Sequence, residues 1–214
     1  MENKILLIGG GGHCKSIIDS LQNPNQYDGI GIIDKKENIG NELSGIKIIG
    51  CDDDLAALHQ QGYHYAFMSL GSIGDSSNRV RLFTMIEKLG FIIPNIIDPS
   101  AILSNSVNLE HGIYIGKHAV INAGATIGKG SIINTSAVIE HDCTVQMFAH
   151  IAPGVILCGD VNIGEHTHIG AGSVIRQQVK VGRSTIIGMG SVVIHDIGDS
   201  VLAYGNPCKE VKTL

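Results

Sequence analysis

The sequence places a histidine directly before an aspartate at His141 and Asp142. A carboxylate that accepts the ring N–H of a neighbouring histidine fixes the tautomer of the imidazole and raises its basicity. An imidazole held in this way can take the proton from an attacking hydroxyl or amine group, which is general base catalysis. Because the chain has ten histidines, and most histidines in proteins have no catalytic role, support for this pair must come from the pattern around it.

The surrounding residues repeat with a period of six. An aliphatic residue stands at every sixth position from Ile97 to Val193, seventeen times without a miss. Neither the α-helical period of about 3.6 nor simple strand alternation produces this spacing, which is typical of a parallel β-helix whose faces each take one hexad. The sequence therefore predicts a stiff prism, and functional residues are expected on its outer surface.

Two further positions of each hexad favour a narrow core with tight corners. Small or β-branched residues stand two positions before the aliphatic ones, where we expect side chains that point inward. They are Ala119, Ala125, Ser131, Ala137, Cys143, Ala149, Val155, Val161, Thr167 and Ser173. The residue after each aliphatic position is often Gly or Asn, and these types are predicted to form the corners because they tolerate positive φ. They are Gly116, Asn122, Gly128, Asn134, Gly164, Gly170, Gly182 and Gly188.

Three hexads would complete one coil, so residues 18 apart are predicted to stack about 4.8 Å apart, the spacing of neighbouring strands. On this scale Gly159 lies one coil above His141, where its backbone N–H can donate to an oxyanion. His150 and His168 are also 18 residues apart. Two stacked imidazoles are fewer ligands than a protein gives to zinc, so we expect no metal.

The residues before the hexads alternate between strand and helix patterns. The predicted strands are residues 4–8, 29–33 and 65–70, and the predicted helices are residues 13–21, 54–61 and 78–89. This order is typical of a small parallel, Rossmann-like α/β domain. Pro94 and Pro99 bracket the change of pattern, so we divide the chain into an α/β domain over residues 1–94 and an all-β, β-helix domain over residues 95–214.

Glycines 9–12 follow the first predicted strand and precede a helix. They do not form a dinucleotide-binding fingerprint, because Cys14 stands where the third glycine is needed, and we expect no NAD. The glycines still let backbone N–H groups at a helix N-terminus approach an anion such as a nucleotide diphosphate. Asp34 follows about 20 residues later, a distance at which a carboxylate can reach a ribose.

Charge and cysteine content exclude several classes of partner. The net charge is -5 and no basic run is longer than Lys35 and Lys36, so we expect no nucleic acid. The five cysteines form no CxxC pair, which favours reduced thiols in a cytoplasm, and Cys143 and Cys158 are expected to pack rather than to act as nucleophiles. The apolar run before the glycines is too short for a signal peptide or a membrane span. We therefore expect a cytoplasmic protein without a membrane partner.

A resemblance to a known family rests on both parts of the chain. The run IGKHAVINAGATIGKGSIINTSAVIEHDCTV and the closing GNPCKEVK resemble the hexapeptide-repeat acyltransferases. With the glycine-rich α/β domain in front, the whole chain is similar to the sugar acetyltransferases grouped with the sialic acid O-acetyltransferase family. That group includes the bacillosamine-pathway UDP-amino-sugar N-acetyltransferases and the perosamine N-acetyltransferases. The resemblance implies a left-handed β-helix, a homotrimer, and acetyl-CoA bound between neighbouring subunits.

The family's IEHE or IEHD motif falls on this pair, so the resemblance implies that His141 is the catalytic base and that Asp142 assists it. It also implies that the amide of Gly159 faces the acetyl group. Acetyl-CoA contacts are implied at His150, Gly159, Ala171, Met189, Pro207 and Lys209. Met189 departs from the small residue usual at its position, and Cys208 replaces alanine in the closing G-x-P-A-K motif.

In relatives that acetylate UDP-sugars, the glycine turn and the residues after the second and third strands touch the substrate. The resemblance therefore implies substrate contacts at Gly11, Gly12, His13, Asp34, Lys35 and Gly71. Arg79, in the segment SNRVR, is a weaker candidate of the same kind. The carbonic anhydrases of this fold need an H-x4-H pair on the β-helix, whereas the only such pair here, His59 and His64, lies in the front domain.

The leading hypothesis is an acetyl-CoA-dependent transfer of acetyl to the amino group of a nucleotide-linked amino sugar of the UDP-4-amino type, for surface glycan synthesis. Direct attack with His141 as base is the expected mechanism. O-acetylation of sialic or nonulosonic acids is the alternative within the same chemistry. A non-catalytic trimeric scaffold is the alternative of another class.

Overall fold

The computed structural model describes residues 3–21 and 26–214. The chain divides into two compact units. The front unit comprises Met1–Gly71 and Ser77–Ile96, and the second unit comprises Ser72–Ser76 and Ile97–Leu214. The single cut predicted after residue 94 does not include the short segment Ser72–Ser76, which belongs with the second unit although it lies far from it in sequence.

The front unit is a five-stranded sheet with three helices. Its elements are β1 (Lys4–Ile8), α1 (Gly12–Ser20), β2 (Gly29–Ile33), β3 (Glu42–Leu43), β4 (Ile46–Gly50), α2 (Leu55–Gln60), β5 (Tyr63–Met68) and α3 (Ser77–Lys88). The strand order is β3-β4-β2-β1-β5, and all pairs are parallel except β3 with β4. The predicted α/β class is confirmed, and each predicted element lies within two residues of the observed one.

The β3–β4 hairpin is the part of this sheet that the sequence analysis missed. Ser44 and Gly45 both have positive φ, at 49° and 78°, as a two-residue hairpin turn requires. The signal was present, because Ser-Gly lies just before the apolar residues of Ile46–Gly50. β1 runs through the centre of the sheet, and its Ile5, Leu6 and Leu7 are fully buried because helices cover both faces of a parallel sheet.

The second unit is a β-helix of two-residue strands arranged in three faces. One face holds β7 (Ile102–Leu103), β10 (Val120–Ile121), β13 (Val138–Ile139), β16 (Ile156–Leu157), β19 (Val174–Ile175) and β22 (Val192–Val193). The next holds β8 (Asn108–Leu109), β11 (Thr126–Ile127), β14 (Thr144–Val145), β17 (Asn162–Ile163) and β20 (Lys180–Val181). The last holds β6 (Ile96–Ile97), β9 (Tyr114–Ile115), β12 (Ile132–Ile133), β15 (His150–Ile151), β18 (His168–Ile169), β21 (Ile186–Ile187), β23 (Val201–Gly205) and β24 (Cys208–Thr213).

The predicted stacking of residues 18 apart is confirmed. Val120 pairs with Val138 and Ile121 with Ile139 in parallel register, and the same step relates the other coils. The second residue of each strand points into the core, whereas the first points outward, because side chains alternate along a strand. The predicted inward residues are all buried, from Ala119 to Ser173. Buried hydroxyls among them are satisfied at the corners, as Thr167 Oγ1 donates to the carbonyl of Gly182 at 2.6 Å.

The outward residues give each face its own character. We name the first the apolar face, for Ile102, Val120, Val138, Ile156, Val174 and Val192. We name the second the polar face, for Asn108, Thr126, Thr144, Asn162 and Lys180. We name the third the histidine face, for Tyr114, Ile132, His150, His168 and Ile186. On the apolar face the Ile102 side chain is 65% exposed, whereas on the histidine face Tyr114 and Ile132 are buried although they point outward.

The predicted position of the corner conformation was wrong. Positive φ occurs three residues after each aliphatic position, as at Gly124 and Asp142, and not at the Gly or Asn directly after it. The glycines there have another cause. A Cβ on Gly128 would lie 2.5 Å from the backbone nitrogen of Met147, so the backbone of the next coil leaves no room for a side chain. Gly164 and Gly170 are restricted in the same way.

Candidate active site

His141 and Asp142 form the predicted pair at the corner between β13 and β14. Nδ1 of His141 lies 2.9 Å from Oδ2 of Asp142, and the two side chains are 63% and 68% exposed. Asp142 has a φ of 62°, and this left-handed conformation, which aspartate tolerates, is part of the corner that holds the carboxylate beside the ring. The hydrogen bond with Asp142 raises the pKa of His141 above its ordinary value, and the charges of Asp142, Glu140 and Asp160 act in the same direction.

Gly159 lies against the imidazole, as the column arithmetic predicted. A Cβ on this glycine would lie 2.5 Å from Nε2 of His141, so the ring occupies the space that a side chain would need. The register is fixed by Asp160, whose N–H donates to the carbonyl of His141 at 2.9 Å. Within residues 3–21 and 26–214, the N–H of Gly159 donates to no acceptor. A proton acceptor and an open backbone donor therefore stand side by side.

Ala171 and Met189 occupy a different corner, which precedes β19 and β22 rather than following β13. Gly172 N–H donates to the carbonyl of Pro153 and Gly190 N–H to that of Ala171, each at 2.9 Å, so these residues form one column. Met189 is 81% exposed. Because this corner and the corner of His141 border opposite edges of the apolar face, one copy of the chain does not bring the two sets of residues together.

His150 and His168 stack on the histidine face with ring centroids 4.8 Å apart and are nearly buried. Nδ1 of His150 lies 2.8 Å from the carbonyl oxygen of Ser72, and Nε2 lies 3.3 Å from Nδ2 of Asn134. Burial lowers the pKa of His168. Among the residues that the structure describes, no group of three or more His, Cys, Asp or Glu side chains is arranged to hold a metal ion.

Pro207 and Lys209 belong to the hairpin of β23 and β24 that extends the histidine face beyond the last full coil. Both residues are exposed, and Lys209 pairs across the hairpin with Tyr204. Lys209 is therefore a cation in solvent at the end of the prism.

The cysteines near the dyad are packed as predicted. Sγ of Cys143 lies 3.1 Å from the carbonyl oxygen of Cys158, and burial raises the pKa of the Cys143 thiol to about 11. A thiol that stays protonated at neutral pH is a poor nucleophile.

The carboxyl ends of β1, β2 and β5 bring the predicted front-unit residues to one edge of the sheet. Asp34 accepts the N–H of Gly10 at 2.8 Å and the N–H of Lys35 at 2.7 Å, so its carboxylate orders the glycine turn. Gly11 caps α1, and a Cβ at that position would meet no atom within 4 Å. A Cβ on Gly71 would lie 3.6 Å from Cβ of His13, which places the end of β5 beside the start of α1.

A cavity of about 410 Å³ opens at this edge. Asp34 and Lys35 line it together with residues that the sequence analysis did not select, chiefly Asp52, Asn78 and Arg81. Nη2 of Arg81 lies 3.0 Å from Oδ1 of Asn78 and 3.1 Å from Oδ2 of Asp52. The acidic run that contains Asp52 had been interpreted only as a helix start.

Arg79, the weaker sequence candidate, lies elsewhere. It is 2% exposed, and burial lowers its pKa to about 10. The basic residue of SNRVR that reaches the cavity is therefore Arg81, two positions further along α3.

In the part of the chain that the structure describes, no helix is both long and apolar enough to cross a membrane.

Comparisons with known proteins match both units. A model of the PglD N-terminal domain matches residues 4–86, and a model of six bacterial transferase hexapeptide repeats matches residues 160–195. A histidine variant of the perosamine N-acetyltransferase from Caulobacter crescentus, in complex with CoA and GDP-perosamine, is 36% identical over 98% of this chain and 97% of that one, with a TM-score of 0.92.

Two further structures are similar over their whole length. The acetyltransferase domain of PglB from Neisseria gonorrhoeae, in complex with acetyl coenzyme A, is 32% identical over 99% of this chain and 100% of that one, with a TM-score of 0.91. WeeI from Acinetobacter baumannii, at 23% identity and a TM-score of 0.85 over 97% and 99% of the chains, shares the fold.

Proposed function

We propose, because this chain belongs to the hexapeptide-repeat sugar N-acetyltransferases of the perosamine and bacillosamine type, that it transfers acetyl from acetyl-CoA to the amino group of a nucleotide-linked amino sugar. The observation that carries the proposal is the His141–Asp142 pair beside the open N–H of Gly159. An intact pair of this kind argues against a scaffold without catalysis.

The geometry assigns a step to each of these groups. As the amine nitrogen forms its bond to the thioester carbonyl carbon, Nε2 of His141 accepts a proton from that nitrogen. Asp142 holds the Nδ1–H, which keeps the lone pair of Nε2 directed at the substrate. The N–H of Gly159 donates to the carbonyl oxygen while negative charge develops on it. When the C–S bond breaks, the imidazolium returns the proton to the departing sulfur.

The residues of the second corner fit the pantetheine arm of acetyl-CoA. Ala171 and Met189 present exposed backbone with small or flexible side chains, and neither donates its N–H to a backbone carbonyl of the described chain. Pro207 and Lys209 stand exposed near the end of the prism, and the ammonium of Lys209 suits a phosphate group. His150 remains a predicted acetyl-CoA contact.

The active form in this proposal is a homotrimer. The two halves of the site border opposite edges of the apolar face, so a neighbouring copy must supply the half that each chain lacks. The exposed Ile102 and Ile156 give that face an apolar surface for a copy to cover, and rotational symmetry closes such head-to-tail contacts into a ring. We expect Ile156→Glu to yield monomers, by light scattering after size exclusion, and to lose activity. Thr144→Glu on the polar face is the matched control and should stay trimeric.

The front unit would bind the nucleotide sugar. The glycine turn at Gly11, Gly12 and His13, together with Asp34, Lys35 and Gly71, surrounds the same sheet edge as the cavity. The sugar is expected to be of the UDP-4-amino type, and the GDP-perosamine of the Caulobacter complex makes a GDP-sugar the natural comparison. Free cysteines and the use of acetyl-CoA favour a cytoplasmic step in surface glycan synthesis.

A thiol-release assay tests the function directly. Acetyl-CoA would be offered with UDP-4-amino-sugars, with GDP-4-amino-sugars and with free sialic acids. Turnover of a nucleotide amino sugar is expected. Turnover of sialic acid alone would replace the proposal with O-acetylation, and no turnover of any acceptor would favour the scaffold.

A further inference from the structure

The segment Ser72–Ser76, which we call the strap, joins the end of β5 to α3 but packs with the β-helix. It has no regular secondary structure. Gly74 in its middle has a φ of 83°, and a Cβ there would lie 3.0 Å from Cδ1 of Ile186 on the histidine face. The strap therefore lies directly on that face.

Two histidines hold the ends of the strap. His150 anchors its first residue, because Nδ1 lies 2.8 Å from the carbonyl oxygen of Ser72. His166 meets its last residue, with Nδ1 3.2 Å from Oγ of Ser76. The ring of His166 is itself stacked on Phe148, with centroids 5.5 Å apart and planes 7° from parallel.

The tautomer of His150 follows from its neighbours. Oδ1 of Asn134 accepts the N–H of Thr135 at 2.8 Å, so the amide turns its NH₂ group toward Nε2 of His150. Nε2 is then an acceptor, Nδ1 carries the hydrogen, and the neutral ring donates to the carbonyl of Ser72. Because the side chain is nearly buried and both nitrogens are engaged, it is a fixed anchor rather than a free ligand.

The anchor acts next to a predicted substrate contact. Ser72 directly follows Gly71, and consecutive Cα atoms are about 3.8 Å apart, so fixing Ser72 restricts where Gly71 can lie. Gly71 stands beside His13 at the carboxyl edge of the sheet. We propose that His150 is a positioning residue for the nucleotide sugar, which it holds in register through the strap and not through acetyl-CoA. This inference rests on the proposed function, since it assumes that the nucleotide sugar binds at that edge.

The test is steady-state kinetics on the full-length protein with each substrate varied in turn. His150→Phe keeps a ring and removes the donor, and we expect about a tenfold rise in KM for the nucleotide amino sugar. The kcat and the KM for acetyl-CoA should stay within about twofold of wild type. His150→Asn returns an N–H near the position of Nδ1 and should restore most of the affinity. His168→Phe, one coil away on the same column and without a bond to the strap, is the matched control and should leave the sugar KM unchanged.

Hydrogen exchange provides a readout that does not need turnover. Amides of residues 72–76 should exchange faster in His150→Phe than in wild type, in His150→Asn or in His168→Phe. If His150→Phe does not fold, Ser76→Ala loosens the other end and should raise the sugar KM by a smaller factor. A rise in the KM for acetyl-CoA in place of that for the sugar, or an unchanged sugar KM, would overturn the inference. A wild-type protein that acetylates no nucleotide sugar would instead remove the proposed function on which the inference rests.

Discussion

The β-helix carries histidines in two opposite settings. His141 stands at an exposed corner with a carboxylate on Nδ1, whereas His150 and His168 lie nearly buried in one column of the histidine face. The hydrogen bond with Asp142 raises the pKa of His141, while burial lowers the pKa of His168. Solvent access and the nearest carboxylate therefore decide whether the same side chain accepts protons or remains a neutral part of the packing.

The largest difference between the two settings should appear in catalysis. We expect His141→Ala to lower kcat by about 10²–10⁴-fold, the usual worth of a general base, with both substrates saturating. His168→Phe is the control, because it removes an imidazole from the same β-helix without touching the corner. A kcat near wild type in His141→Ala would remove this residue from the mechanism.

A smaller loss is expected when the imidazole is displaced rather than removed. In Gly159→Ala the new Cβ would fall 2.5 Å from Nε2 of His141, so the ring must move, and displacements of this size cost up to about 100-fold in kcat. Ala123 occupies the same column one coil below, which indicates that the corner backbone accepts a Cβ.

Ala123→Gly is therefore the reciprocal control and should leave kcat unchanged. Wild-type kcat in Gly159→Ala, with the fold confirmed by circular dichroism, would mean that the position of the ring in the structure is not the catalytic one.

The carboxylate partner should be visible in the pH profile. Because Asp142 raises the pKa of His141, the ring stays protonated, and inactive as a base, up to a higher pH than an ordinary histidine would. The acid limb of kcat/KM should therefore lie above pH 6.5 in the wild type and move to lower pH in Asp142→Asn. An acid limb that stays in place in the variant would show that the hydrogen bond does not set this pKa.

The smallest expected effect concerns stability on the buried side. The lowered pKa of His168 means that the unfolded chain takes up the proton first, so the folded state loses stability as pH falls from the ordinary value of 6.5 through the lowered one. His168→Phe removes this titration and also removes Nδ1, a buried atom with no hydrogen-bond partner among the described residues. Thermal unfolding should therefore depend less on pH below 6.5 in the variant, with no loss of Tm at neutral pH. A steeper acid dependence would contradict this.

The sequence predicted those features that depend on a period. Counting in eighteens placed Gly159 beside His141 and His150 beside His168, because parallel register makes sequence distance equivalent to height in the prism. The corner conformation was misplaced by two residues, because the close approach of the next coil, which no single hexad shows, explains the glycines as well as positive φ does.

Features assembled from distant elements were not predicted. Asp52 and Arg81 meet at the cavity from either side of β5, and the strap reaches the histidine face from a segment with no periodic signal. Only tertiary packing brings such residues together. The sequence signals that were available, an acidic run and a second arginine in SNRVR, had equally simple local explanations.

The register of the coils also sets which changes in chain length the fold can absorb. Since every coil takes 18 residues and repeats the same corners, duplicating one coil would lengthen the prism and leave each face and each corner in order. An insertion of six residues would instead turn everything beyond it onto the next face, and the exposed valines of the apolar face would be exchanged for polar side chains. Insertions and deletions between the dyad and the C-terminal hairpin are therefore compatible with an intact protein only in units of eighteen, or as loops that leave a corner and return to it.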